Sequence, residues 1–194
     1  MTTKRFDASM AHRLDAAERL VWLPPAEVVE AMGVRSGDII ADIGAGTGYF
    51  ALPLATAAGP QGKVFAVDAQ ADMLGHLQQK LNSNGAPNIE MVHAEAEATG
   101  LPDASCTVVF LANVWHEFDD RAIVLREARR ILKPGGRIAI LDWRPDVERE
   151  AGPPLDHRIS TAVAVSDLQS AGFVRTTHTN TGKYSWLVQG ELAQ

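Results

Sequence analysis

The 194-residue sequence predicts one α/β domain: a doubly wound, mostly parallel seven-stranded sheet that ends in an antiparallel C-terminal hairpin. Three observations predict it. Short apolar runs alternate with helix-length amphipathic stretches, the pattern of a parallel sheet covered on both faces. The first run, D-I-I-A-D-I (38–43), breaks straight into a glycine-rich turn. The last two runs, V-R-T-T-H-T-N and Y-S-W-L-V-Q, flank Thr181-Gly182, which is a hairpin signal.

Each element has its own justification. Met10, Leu14, Ala17, Leu20 and Val21 recur at helical spacing, so one helix is expected over 9–23. Pro24-Pro25 stops it, and Pro25 starts a second helix that ends near Gly33. Strands are expected near 38–43, 63–67, 88–92, 106–111 and 136–141, and helices near 48–58, 70–83 and 119–132. Asn84-Gly85 and Pro134-Gly135-Gly136 mark returns from helix to strand. Residues 143–158 lack periodicity and read as a long loop, of the kind that is often functional. Ser160 is the expected N-cap of a helix running to about Ser170, closed by Ala171-Gly172.

Composition closes several options. The chain's length fits the prior of about 100–200 residues per domain. A net formal charge of −6 argues against a nucleic-acid partner, which normally needs a basic face. Cys106 is the single cysteine, so an internal disulfide is impossible, and its apolar strand makes it inert core. No Cys/His spacing suggests zinc, so no metal is expected. The absence of a long apolar run predicts no membrane span, and no signal peptide follows Lys4 and Arg5. The expectation is a cytoplasmic chain of open oligomeric state.

A strand running into a glycine-rich turn and then a helix is how α/β proteins hold a nucleotide-like cofactor. Glycines let the chain turn sharply and let the backbone approach a ligand. Dinucleotide sites favour G-x-G-x-x-G. In D-I-G-A-G-T-G-Y-F the third glycine comes one residue early, and Tyr49 stands where it would be. The loop also lacks the lysine of a phosphate-binding loop.

The D-x-G-x-G-x-G form resembles motif I of the class I S-adenosylmethionine (SAM) methyltransferases. K-V-F-A-V-D (63–68), H-A-E-A-E-A-T-G-L-P-D (93–103) and L-K-P-G-G-R-I-A-I-L-D (132–142) resemble that family's later landmarks, in order, across roughly residues 35–142. The N-terminal D-A-S-M-A-H-R-L-D-A-A-E-R and G-P-P-L-D-H-R-I-S resemble a small stand-alone prokaryotic group of the methyltransferase type 11 kind. The resemblance implies a Rossmann-like methyltransferase fold with an N-terminal helical cap (1–33), a SAM-binding core (34–142) and an acceptor-side segment (143–194).

It also implies a cofactor site. Gly44, Ala45, Gly46 and Gly48 would lie against the aminoacyl end of SAM, and Asp42 would hold its ammonium. Asp68 would accept both ribose hydroxyls, with Ala69 and Met73 beside it. One ionised carboxylate suits two neighbouring donors. Helix N-capping is the alternative role for Asp68. Glu95, with Glu97 as its rival, would meet the adenine amino group, Ala96 would meet a ring nitrogen through its backbone, and Asn113 would complete the site.

The acceptor side is expected beyond the carboxyl ends of the strands. His116, in N-V-W-H-E (113–117), is the candidate base because imidazole titrates near neutrality. A structural histidine is the competing reading. Trp115, Trp143, His157 and Arg158 are candidate substrate residues, the arginine for an anionic group. Core packing for Trp115 and loop anchoring for Arg158 stand beside those roles. His12, Arg13 and Arg19 lie in the cap. The N-V-W-H segment departs from the N-P-P-[YFW] of enzymes that methylate nucleic-acid bases. The expected function is SAM-dependent methyl transfer to a small molecule, leaving S-adenosylhomocysteine. The alternatives are a SAM-binding protein without catalysis and an NAD-dependent oxidoreductase, the latter disfavoured by Tyr49 and the terminal hairpin.

Overall fold

The computed structural model describes residues 6–148 and 152–193. Lys4 and Arg5, and residues 149–151 of the 143–158 segment, lie outside the described residues. The strands are β1 (Ile39–Ile43), β2 (Lys63–Asp68), β3 (Ile89–His93), β4 (Cys106–Ala112), β5 (Leu132–Trp143), β6 (Phe173–Thr181) and β7 (Ser185–Leu192). The helices are α1 (Ala17–Trp22), α2 (Pro25–Ala31), α3 (Ala51–Ala58), α4 (Ala71–Asn84), α5 (Arg121–Ile131) and α6 (Thr161–Ser170).

The strands form one seven-stranded sheet in the order β3-β2-β1-β4-β5-β7-β6. All neighbours are parallel except β5 with β7 and β7 with β6. Strand order reverses between β1 and β4, so the loops leaving their carboxyl ends diverge and open a crevice.

Alternation along the strands builds two cores. Ile40, Val108, Phe110, Ala139, Leu141 and Leu187 face α2, α3 and α4. Their strand neighbours Ala41, Ile43, Val109, Leu111, Ile138 and Ile140 face α5 and α6. Strands buried on both faces must be apolar at nearly every position, which is why they read as continuous runs. Each fully buried Leu or Ile stabilises the fold by roughly 1.5–3 kcal/mol.

Three boundaries differ from the sequence expectation. The single helix over 9–23 is instead a 3-10 helix, Ala8–Arg13, followed by α1. The break at 14–16 has a tertiary cause. Arg19 Nη1 donates to the Leu14 carbonyl at 2.9 Å. Asp15 meanwhile accepts from Thr47 Oγ1 at 2.9 Å and pairs with Lys80 at 2.6 Å. Helix α3 starts at Ala51 rather than 48, because Gly46 and Gly48 hold left-handed φ values of 55° and 82°. Strand β5 starts at Leu132, where a register shift between Cys106 and Val108 lets Pro134-Gly135-Gly136 bulge within the pairing with β4. The Ser160 cap holds, its side chain accepting from Val163 N, and the hairpin β6–β7 forms.

Candidate active site

The loops at the carboxyl ends of β1, β2, β4 and β5 surround a cavity of about 990 Å³. The glycine loop is one wall. Gly44 N and Ala45 N donate to the Val67 carbonyl at 2.8 and 3.0 Å. Gly46 N donates to Asp68 Oδ2 at 2.8 Å, and Gln70 N donates to Asp68 Oδ1 at 2.9 Å. Asp68 therefore braces the loop and the entry of α4 together, a role that its reading as a ribose acceptor did not include. A β-carbon on Gly44 would stand 2.7 Å from Val114 Cγ1, whereas one on Gly46 would meet only Leu14 Cδ1 of the cap, at 3.5 Å. Gly46 thus has room on its cavity side, with only the cap's Leu14 side chain in van der Waals contact.

Asp42 ends β1 beneath this loop, 1% exposed, and its Oδ2 has no hydrogen-bond partner among the described residues. Burial, helped by the nearby Asp68 charge, pushes its carboxyl up to about 7. A buried carboxyl oxygen without a partner is costly, and an incoming cation relieves the cost. Asn113, in the left-handed region at φ 57°, likewise has a buried Oδ1 without a partner among the described residues. These two acceptors and Gly46 fit the ammonium end of SAM. Ala45, Ala69, Met73, Glu95, Ala96 and the rival Glu97 all line the same cavity. Gly48 does not; a β-carbon there would collide with Leu77, so it serves the packing of the loop on α4.

A second wall follows β4. His116 lies in a 3-10 turn, Trp115–Glu117, with its side chain 9% exposed. Its Nδ1 donates to Asp142 Oδ1 at 2.8 Å. Asp142, fully buried at the end of β5, also accepts the backbone N–H groups of His116 and Trp143 at 2.9 and 2.7 Å. Burial pulls the His116 pKa down, but the Asp142 hydrogen bond and charge, with the Glu117 charge, outweigh it and raise the pKa above the ordinary value. Glu117 lies next to it, with Oε1 4.0 Å from His116 Nε2. Burial pushes this carboxyl up to about 7, although the His116 charge and then the Phe6 backbone hydrogen bond lower it somewhat.

The cap forms the roof. Phe6, His12, Arg13, Leu14, Arg19 and Trp22 all reach the cavity. Arg19 lies over the Tyr49 ring, its guanidinium carbon 4.0 Å from the centroid, and Tyr49 OH donates to the Leu23 carbonyl at 2.7 Å. Trp22 packs on Trp143 with centroids 5.4 Å apart.

Two expected substrate residues do not line the cavity. Trp115 is fully buried in the core against Phe118 and beside Arg121, because its side chain points to the α5 face of the sheet. Arg158 donates to the carbonyls of Pro153, Arg144 and Val147 at 3.1, 3.0 and 2.7 Å, so its guanidinium anchors the 143–158 segment instead of awaiting an anion. Trp143 and His157 do line it. Sequence reasoning missed the pairing of Asp142 with His116, and it missed Glu117, Asp15 and Phe6. The available signal was an acid at the end of β5, the strand beside β4.

The family profile described as "Methyltransferase domain" matches residues 41–140. Among curated proteins, the ubiquinone/menaquinone biosynthesis C-methyltransferase of Ectopseudomonas mendocina is 33% identical over 161 residues, covering 80% of this chain and 59% of that protein. The demethylmenaquinone methyltransferase of Geobacillus kaustophilus is 33% identical over 116 residues, 60% of this chain and 50% of that one. The chain spans about half the length of the curated relatives it matches. Among solved structures, a SAM-dependent methyltransferase from Aquifex aeolicus superposes with a TM-score of 0.91 at 32% identity, covering 97% of this chain and all of the other. The sheet order, the glycine loop and these likenesses agree: the chain belongs to the class I SAM-dependent methyltransferase family.

Proposed function

We propose that this chain transfers the methyl group of SAM to a small-molecule acceptor, with His116 as the proton acceptor. The observation that carries the reading is His116, backed by the buried Asp142, lining the same cavity as the glycine loop. When bound, SAM supplies a methyl group already activated on a sulfonium. The chain's own residues then have three tasks.

The first is holding. Asp42 and Asn113 would take the ammonium, Asp68 the ribose hydroxyls, and Glu95 with the Ala96 backbone the adenine. The second is alignment and exclusion of water, which the cap residues Phe6, Leu14 and Trp22 would perform by covering the cavity. Proximity and orientation can contribute roughly 7–11 kcal/mol in favourable cases. The third is proton removal. With Nδ1–H directed to Asp142, the neutral ring carries its free lone pair on Nε2, and Asp142 stabilises the imidazolium that forms.

The family profile stops short of Trp22, Trp143 and His157, and the chain spans only about half the length of the curated relatives, so their names do not carry over the acceptor. Among the described residues no helix is long and apolar enough to cross a membrane. The test is transfer of labelled methyl from SAM into a fractionated metabolite extract, comparing the wild-type chain with His116→Ala. A labelled product with the wild type, and roughly 10²–10⁴-fold less with the variant at equal SAM affinity, is expected. A chain that binds SAM and labels nothing would be a binding protein instead.

A further inference from the structure

The acceptor wall holds two proton-accepting groups facing one seat. His116 Nε2 and Glu117 Oε1 are 4.0 Å apart, both residues line the cavity, and no described residue hydrogen-bonds Nε2. One atom between them could stand within about 2.9 Å of both. A nitrogen bearing two or more hydrogens satisfies both acceptors at once and keeps its remaining position toward the methyl donor. A hydroxyl has one hydrogen and leaves one acceptor unmatched.

Charge points the same way. The described residues around the cavity include eight carboxyl groups and two arginines, Arg13 and Arg19. The arginines of the segment after β5 are otherwise engaged, Arg158 by three carbonyls and Arg144 by Asp146 at 2.7 Å. An anionic acceptor therefore has little to meet on that wall. Glu117 has no cationic partner among the described residues other than His116, so an arriving ammonium would supply the missing charge. The cavity's exposed lining is also mostly apolar, and the paired indoles of Trp22 and Trp143 are among it. Indole faces attract ammonium groups as well as apolar surface.

We propose that the acceptor is a primary or secondary amine on an apolar, ring-bearing skeleton, seated by Glu117 and deprotonated by His116. The assignment rests on the methyl-transfer reading above. In the step, the arriving ammonium gives one N–H proton to His116 Nε2 and becomes the neutral amine. The nitrogen lone pair forms the new N–C bond, and the methyl carbon's bond to sulfur breaks with its electron pair remaining on sulfur. The product ammonium keeps its charge beside Glu117 until it leaves. The raised carboxyl of Glu117 agrees with a group awaiting a cation.

The experiment uses the wild-type chain saturated with S-adenosylhomocysteine and three probes of closely matched size: phenethylamine, phenethyl alcohol and hydrocinnamate. Calorimetry should show the amine binding at least about tenfold more tightly than the alcohol or the carboxylate. Glu117→Gln should remove that preference while leaving circular dichroism and S-adenosylhomocysteine affinity unchanged. Labelled methyl from SAM should appear on the nitrogen of phenethylamine. Equal or tighter binding of the alcohol or the carboxylate, or no binding of the amine, overturns the assignment. So does a loss of S-adenosylhomocysteine affinity in Glu117→Gln, which would move Glu117 to the cofactor side. Label on carbon or oxygen of extract compounds overturns the amine alone, whereas label on no acceptor at all overturns methyl transfer itself.

Discussion

His116 Nδ1 and Asp142 Oδ1 lie 2.8 Å apart, although the residues are 26 positions apart in the chain. The carboxylate also receives two backbone N–H groups, which fix its orientation and so the ring's. The pair explains how a nearly buried imidazole keeps a pKa above its ordinary value.

Asp142→Asn keeps the shape and removes the charge. The His116 pKa should fall, which proton-detected titration of the ring would read directly, and turnover should drop by about 10²–10⁴. Stability should change with a definite sign. A histidine whose folded pKa is raised contributes fully below its ordinary value of about 6.5 and loses that contribution as pH rises through the folded value. The Tm deficit of the variant should therefore be largest in mildly acidic buffer and shrink in alkaline buffer. A deficit that grows with pH would contradict the pairing.

Asp42→Asn should separate binding from stability. The folded pKa of Asp42 is raised to about 7 from 3.8, so the native state holds a proton that the unfolded chain releases. Stability from this group is full below about 3.8 and is lost as pH rises toward 7. The variant, which has no such titration, should gain Tm over the wild type at pH values above 7 and lose that advantage in acid. Its SAM affinity should fall by about tenfold or more, because the ammonium loses a charged partner. Thermal melts with and without S-adenosylhomocysteine, across that pH range, measure both.

Asp68→Ala should weaken SAM binding by roughly tenfold to a hundredfold. Because Asp68 also receives Gly46 N and Gln70 N, the loop should loosen even without ligand. Amide hydrogen exchange at residues 44–48 should quicken in the ligand-free variant. Unchanged exchange together with unchanged affinity would remove both roles.

Gly46→Val should abolish SAM binding and leave the far-ultraviolet spectrum near normal. The residue has φ 55°, a conformation that β-branched residues rarely adopt, and its β-carbon would enter the space between loop and cap. Titration with SAM beside circular dichroism checks this. Gly44→Ala makes the contrast: its β-carbon meets Val114, so it should cost stability as well as binding.

The sequence by itself determined the sheet, the glycine turn and the acid that ends β2 beside it. Those features are local: short continuous apolar runs in β1 and β4, glycines where φ is positive, and an acid directly after the apolar run of β2. Register then follows from packing, since a one-residue slip would exchange the side chains of the two core faces. The tertiary structure alone decided the acceptor wall. Pairing of Ala112 with Leu141 sets the ends of β4 and β5 side by side, and only that register carries Asp142 to His116. The same long-range geometry put Trp115 in the core and turned Arg158 to three loop carbonyls. It also broke the helical period of the cap at Asp15, which binds Thr47 and Lys80. Periodicity records which face of an element is buried, but the partner of a polar side chain is set by which strands and loops the fold makes neighbours.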